Sequence, residues 1–389
     1  MVELPGNQAL TDATGDAFKS SRLDLMLRNF AASYKLYWLR GIFDEAVEGN
    51  DIVPMRRIAA RMVSLAWYPV TFFRLSLGVS DQLANAVKRA REVCDLRDDA
   101  TEAQIRDAVL ESDDAELAKR LNDLCKFVPY RLVRPFYADR LNLERERLGL
   151  STYHFEKLVN RLVIEFNGQD CAGAPYRFSP DCDAVEIDRE WAAYFRDNRH
   201  VLQGWLDMRL VGYLQARNPS VPAIPLKIHP PVQRDLGAAR KWWADALDDH
   251  VFREIYTDVP FDASGYEVYG PMSVDHFIPW SFVLHDEPWN LVPTFRDTNS
   301  SKGNKLPDID LYLDPLCAQQ FDALTTLRGR GRAHRKVFES YLSIDPHVME
   351  YERTDAARES FTRAVSRVVL PLHKIAANQG FPTWVVGEW

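Results

Sequence analysis

The sequence predicts a mainly α-helical protein with one small strand–strand–helix (ββα) module embedded in it. Three observations carry that expectation. Apolar residues recur at three- and four-residue spacing in LDLMLRNFAASYKLYWLRGIFDEAVEG and DQLANAVKRAREV, the period of a helix with one buried face. The same spacing returns near the end of the chain, in FDALTTLRGRGRAHRKVFESYLS and ARESFTRAVSRVVLPLHKIAANQ. Between these regions, MSVDHFIP and NLVPTF read as two short strands, and RDTNSSKGNK as a short helix stopped by Gly303 and Pro307.

Residues 1–150 form the expected helical N-terminal domain, periodic from about Ser20 to Leu148. Its aromatics, among them Tyr34, Tyr37, Trp38, Phe43, Trp67 and Tyr68, suit a helical core; a base-stacking platform is the other reading. The acidic stretch Asp95 to Glu116 reads as a solvated helix pair. Residues 151–250 read as a mixed helical middle region. There 168–187 is rich in turn formers and ends in a strand-like run, and REWAAYFRDNRHVLQGWLDMRLVGYLQAR is helical. Five prolines in NPSVPAIPLKIHPPVQR (218–234) predict an extended connector. A helix from about Leu236 to Tyr256 leads into the module, 251–310, and 311–389 form a helical C-terminal region.

Composition narrows the class. The 389 residues are 46% hydrophobic and 27% charged, which is globular. Lys plus Arg is 48 and Asp plus Glu is 56, a net charge of −8. A chain-wide basic footprint is therefore absent, although nucleic-acid binding depends on the charge of one face. Five cysteines without a C-x-x-C pair argue against a disulfide framework and suit a reducing compartment. The N-terminal text lacks a basic region followed by an apolar one, and the apolar run from Met62 to Phe73 is too short for a bilayer and broken by Pro69. The expectation is a soluble, cytoplasmic protein with no membrane partner.

In the module, Met272 to Pro279 is a strand closed by proline, Ser281 to Pro288 a loop, and Asn290 to Phe295 a second strand whose proline suits an edge. A helix from Arg296 then brings its face beside the end of the first strand, which gathers Asp275, His276 and Asn299. With Asn290, and with IPWSF, NLVP and NSSKGNKLP around them, these residues resemble the HNH, or ββα-metal, endonucleases. The likeness is to the HNH domains of RNA-guided CRISPR nucleases and of bacterial restriction or defence nucleases, and it is confined to about residues 265–310.

The resemblance implies an endonuclease that hydrolyses DNA by a one-metal mechanism in antiphage defence or restriction. Asp275 and Asn299 offer hard oxygen ligands, which favour Mg²⁺ or Mn²⁺. His276 is the general base, and Asn290 completes the catalytic set by pinning the loop that orients it. Lys302 is expected to reach a phosphate as a point charge. No cysteines stand where many family members bind structural zinc, so none is expected, and Tyr266, Tyr269, Trp280 and Trp289 would form a hydrophobic clasp instead. Arg328, Arg330, Arg332, Arg335 and Lys336 form a basic cluster, read either as a DNA-contacting surface or as a solvated helix start. Cleavage of RNA and a non-catalytic nucleic-acid-binding or scaffold role stay open as alternatives, as do a homodimer and a defence-system partner protein.

Overall fold

The computed structural model describes residues 7–28, 32–232, 234–250, 252–330 and 334–387. They form two compact units, the first running to residue 219 with 224–231, the second holding 220–223 and 232 onward.

In the first unit the helix Met55–Thr71 is the hub, packed by Tyr34–Val47, Gln82–Val93 and Glu102–Glu111. Ile58, Met62, Ala66 and Trp67 of the hub are buried. Pro69 lies in the last turn of that helix, so the N–H it lacks interrupts only the helix end. Tyr37, Trp38, Phe43, Trp67, Tyr68 and Phe73 are buried, so these aromatics make a core. The acidic stretch Asp95 to Glu116 holds one whole helix, Glu102–Glu111, and only the start of the next, Ala115–Cys125; each buries an apolar stripe (Ile105 and Val109; Leu117, Leu121 and Leu124). Strands β1 (Ile52–Pro54), β2 (Tyr176–Phe178) and β3 (Ala184–Ile187) form an antiparallel sheet in the order β1-β3-β2, with Val53 opposite Val185. That pairing ties the chain near 53 to the chain near 185, so the composition change near residue 150 is not a unit boundary. Among its described residues the proline-rich stretch is non-helical apart from a 3₁₀ turn, Ile224–Leu226, and the helix after it is shorter than expected, Gly237–Asp249.

The second unit surrounds a two-stranded ribbon. Strand β4 (Met272–His276) pairs antiparallel with β5 (Leu291–Phe295), placing Asp275 opposite Val292 and His276 opposite Leu291. The helix Arg296–Lys302 follows at once, packs on both strands, and ends at Gly303 with φ 50°. The expected loop between the strands contains one helical turn, Trp280–Val283. The helices Gly237–Asp249, Ile309–Leu327 and Asp355–Asn378 build the surrounding core. A parallel pair, β6 (Leu306–Pro307) with β7 (Thr383–Trp384), fastens the chain end beside the ribbon.

The aromatic clasp divides in two. Phe261, Tyr266 and Tyr269 gather on the Phe295 ring at centroid distances of 4.8, 6.0 and 5.4 Å. Gly265 lets this happen: a Cβ there would stand 2.5 Å from the Pro260 carbonyl oxygen and 2.9 Å from the Phe295 ring. Trp280 and Trp289 lie elsewhere, Trp280 beneath the Arg234 guanidinium and Trp289 against His285. Among the described residues, no helix is long and apolar enough to cross a membrane.

Candidate active site

Asp275 and His276 end β4, and neighbours on a strand point to opposite faces. The two side chains therefore enter different environments.

Asp275 turns inward and is 3% exposed. Its carboxylate accepts the Tyr256 hydroxyl at 2.6 Å and the Lys302 ammonium at 3.0 Å. Lys302 is fully buried and also donates to the His276 carbonyl at 2.7 Å. Burial pulls the Lys302 amine below the ordinary lysine range, against the opposing pull of Asp275. The expectation that Lys302 reaches out to a phosphate is therefore corrected, because its charge is spent inside on the carboxylate. Asn299, one turn earlier on the same helix face, donates its amide to Ser273 Oγ at 2.8 Å and the Val274 carbonyl at 3.4 Å. Those bonds leave the carboxamide oxygen unused, beside the strand that carries Asp275.

His276 faces the other way and is buried as well, 5% exposed. Its Nε2 lies 2.7 Å from Asp286 Oδ1. An ionised carboxylate only accepts, so this contact puts the imidazole proton on Nε2 and leaves Nδ1 with a free lone pair. The Arg234 Nη1 stands 3.5 Å from Nδ1, a contact at the outer limit of a hydrogen bond. Asn290, fully buried, does not touch the imidazole. Its side chain accepts from Ile278 N at 2.8 Å and donates to the Ile278 carbonyl at 2.9 Å, while its own carbonyl accepts from Phe277 N at 2.8 Å. It clamps the backbone just after His276. Glu254 does similar work from the side. It accepts from the backbone N–H groups of Tyr256 and Thr257 and from the hydroxyls of Thr257 and Thr294, joining the 254–259 turn to β5.

The structure thus brings together Asp275, His276, Asn290, Asn299 and Lys302, and adds Asp286, Tyr256, Glu254 and Arg234. Sequence reasoning missed these four. Asp286, in HDE ten residues after His276, carried no periodic or spacing signal, and Arg234 lies 42 residues before His276.

The basic cluster is engaged locally. Arg328 donates to the Tyr351 carbonyl at 2.8 Å, Arg330 pairs with Asp249 at 2.7 Å and Arg335 with Glu339 at 2.8 Å. Arg332 lies outside the described residues. Lys336 is exposed and lines a groove of about 460 Å³ bordered by Asp235, Asp286, Glu287 and Glu339. Among the described residues a bare basic face is therefore not formed, although the exposed Arg330 and Arg335 pairs are weak enough to exchange partners.

The hard oxygens a divalent cation would use here are those of Asp275, which already holds the Lys302 ammonium, and of Asn299. Two hydrogen bonds on Asp275 leave carboxylate lone pairs available, and Asn299 adds a neutral oxygen; both are hard ligands. Among the described residues no three His, Cys, Asp or Glu side chains form a metal-holding group, so such a cation would take few protein ligands and complete its shell with water or phosphate oxygens.

Residues 254–308 match the family model described as HNH endonuclease, a segment running from Glu254 through the ribbon and its helix to Asp308. No curated protein and no solved structure matches the chain.

Proposed function

We propose that this protein is a DNA endonuclease that hydrolyses phosphodiester bonds with one bound Mg²⁺ or Mn²⁺ and His276 as general base. The observation that carries this reading is the end of β4: one side chain is an imidazole oriented by Asp286, and its neighbour is a buried carboxylate held by Tyr256 and Lys302.

In this reading His276 Nδ1 takes a proton from the attacking water as the water oxygen bonds to phosphorus. The phosphorus–oxygen ester bond then breaks, and the departing oxygen is protonated by solvent. Asp286 keeps the other proton on Nε2 and offsets the charge of the imidazolium that forms. Asp275 and Asn299 would hold the cation, which when bound supplies charge stabilisation at the phosphorus centre and the leaving oxygen. Lys302 and Tyr256 fix the carboxylate so that little motion is needed on substrate arrival. Asn290 and Glu254 hold the two ends of the site on one rigid ribbon.

The defence or restriction setting rests on the family resemblance alone, as does the choice of DNA over RNA. The experiment is incubation of the purified protein with plasmid DNA, and separately with RNA, under Mg²⁺, Mn²⁺ and EDTA. Cleavage with either cation and none in EDTA supports the reading. Equal cleavage in EDTA, or none of either nucleic acid under any condition, removes it.

A further inference from the structure

We propose that Arg234, which lies outside the matched segment 254–308, is the residue that grips the scissile phosphodiester group. The proposal deepens the nuclease reading and rests on it.

A phosphodiester brought to His276 meets the Asp286 carboxylate close by, so a cation must face it there. Among the described residues, the two sources the sequence offers are already engaged. Lys302 is fully buried, with its ammonium on Asp275 and the His276 carbonyl. Arg328, Arg330 and Arg335 are bonded to Tyr351, Asp249 and Glu339. The groove beside Asp286 carries four carboxylates against Lys336, a field that repels phosphate.

Arg234 has the opposite features. It is exposed, and among the described residues no carboxylate lies within ion-pair distance of it. Its guanidinium sits 5.0 Å above the Trp280 ring, a cation–π contact that holds the group without neutralising it. Trp280 is itself buried and, following Pro279, opens the helical turn Trp280–Val283, so the guanidinium is aimed from a fixed base. The remaining contact is with Nδ1 of His276, the nitrogen left to accept the proton of water. A planar fork at that place matches two phosphate oxygens, and leaves Nδ1 free when it turns onto them.

Binding and cleavage of wild type, Arg234→Ala, Arg234→Lys and Arg330→Ala test this. Binding is read by anisotropy of a labelled DNA duplex and a labelled RNA duplex in EDTA over a range of salt. Arg234→Ala should weaken binding on the order of 10-fold or more and lower the log–log salt slope by about 0.9, the value for one phosphate contact. The duplex that shows the loss identifies the source of the phosphate. Arg234→Lys should recover the slope but only part of the cleavage rate, since a point charge replaces the fork. Arg330→Ala should change the slope less than Arg234→Ala, and thermal midpoints should be unchanged. If the alanine variant loses its fold, Arg234→Gln serves in its place. Loss of slope in Arg234→Ala, in a wild type that binds but does not cleave, keeps the phosphate contact and removes the nuclease reading. A wild type that cleaves while Arg234→Ala keeps its affinity, slope and rate overturns the proposal, as does a wild type that binds neither duplex.

Discussion

Lys302 and Asn299 stand three residues apart, so a helix that turns Asn299 toward β4 turns Lys302 there as well. That consequence was present in the N-x-x-K spacing, whereas the identity of the lysine's partner was not, because Asp275 is brought to it by strand pairing. The buried pair makes a stability prediction. Lys302→Met should leave Asp275 buried with the Tyr256 hydroxyl as its remaining side-chain partner, destabilising the fold by about 3–5 kcal/mol in chemical denaturation. Adding Asp275→Asn should restore part of that loss, since the unpaired charge is then gone. An unchanged denaturation midpoint for Lys302→Met would mean that the ammonium does not occupy this position. Asp286 marks the other limit of residue-level reading. An aspartate in a short loop resembles any solvated acid until the turn after Pro279 folds it back onto His276.

At the scale of elements the sequence was most informative where local signals were strongest. The two strands and the helix of the module start within a residue of where the sequence put them, but β4 ends at His276, three residues before Pro279, and the helix ends at Lys302, three before Lys305. What holds this ribbon to its surroundings was not legible, because Glu254, Tyr256 and Phe261 reach it through tertiary contacts from a turn with no regular pattern. Glu254 supplies a pH test. Burial raises its carboxyl above the ordinary value of 4.5, in spite of the hydrogen bonds it accepts. The folded protein therefore binds the proton more tightly than the unfolded chain does. The resulting stabilisation is fully present below about pH 4.5 and is lost as pH rises through the higher folded value. Glu254→Gln cannot ionise, so its thermal midpoint, relative to that of wild type, should rise as pH is raised through that window. A constant difference between the two midpoints across the window would contradict the burial of an ionisable carboxyl at this position.

At the scale of the whole molecule, the helical character was legible from periodicity, but the division into units was not. Pairing of β1 with β3 joins segments more than a hundred residues apart, and β6 with β7 joins the module to the chain end, and neither pairing leaves a mark in composition. The chain holds one Asp275–His276–Asn299 set, and the sequence contains no second copy. One set supplies one base, so one encounter should cut one strand. With supercoiled plasmid and limiting enzyme, open circles should appear before linear DNA; linear product at once from demonstrably monomeric protein would contradict a single site per chain. The central claim is that His276 is the general base, and it is tested most directly by the single-turnover cleavage rate of His276→Ala at saturating enzyme with Mg²⁺. Removing the base without touching Asp275 or Asn299 should lower that rate on the order of 10²- to 10⁴-fold while DNA affinity and thermal midpoint stay near wild type. A His276→Ala variant that cleaves at the wild-type rate would contradict the account.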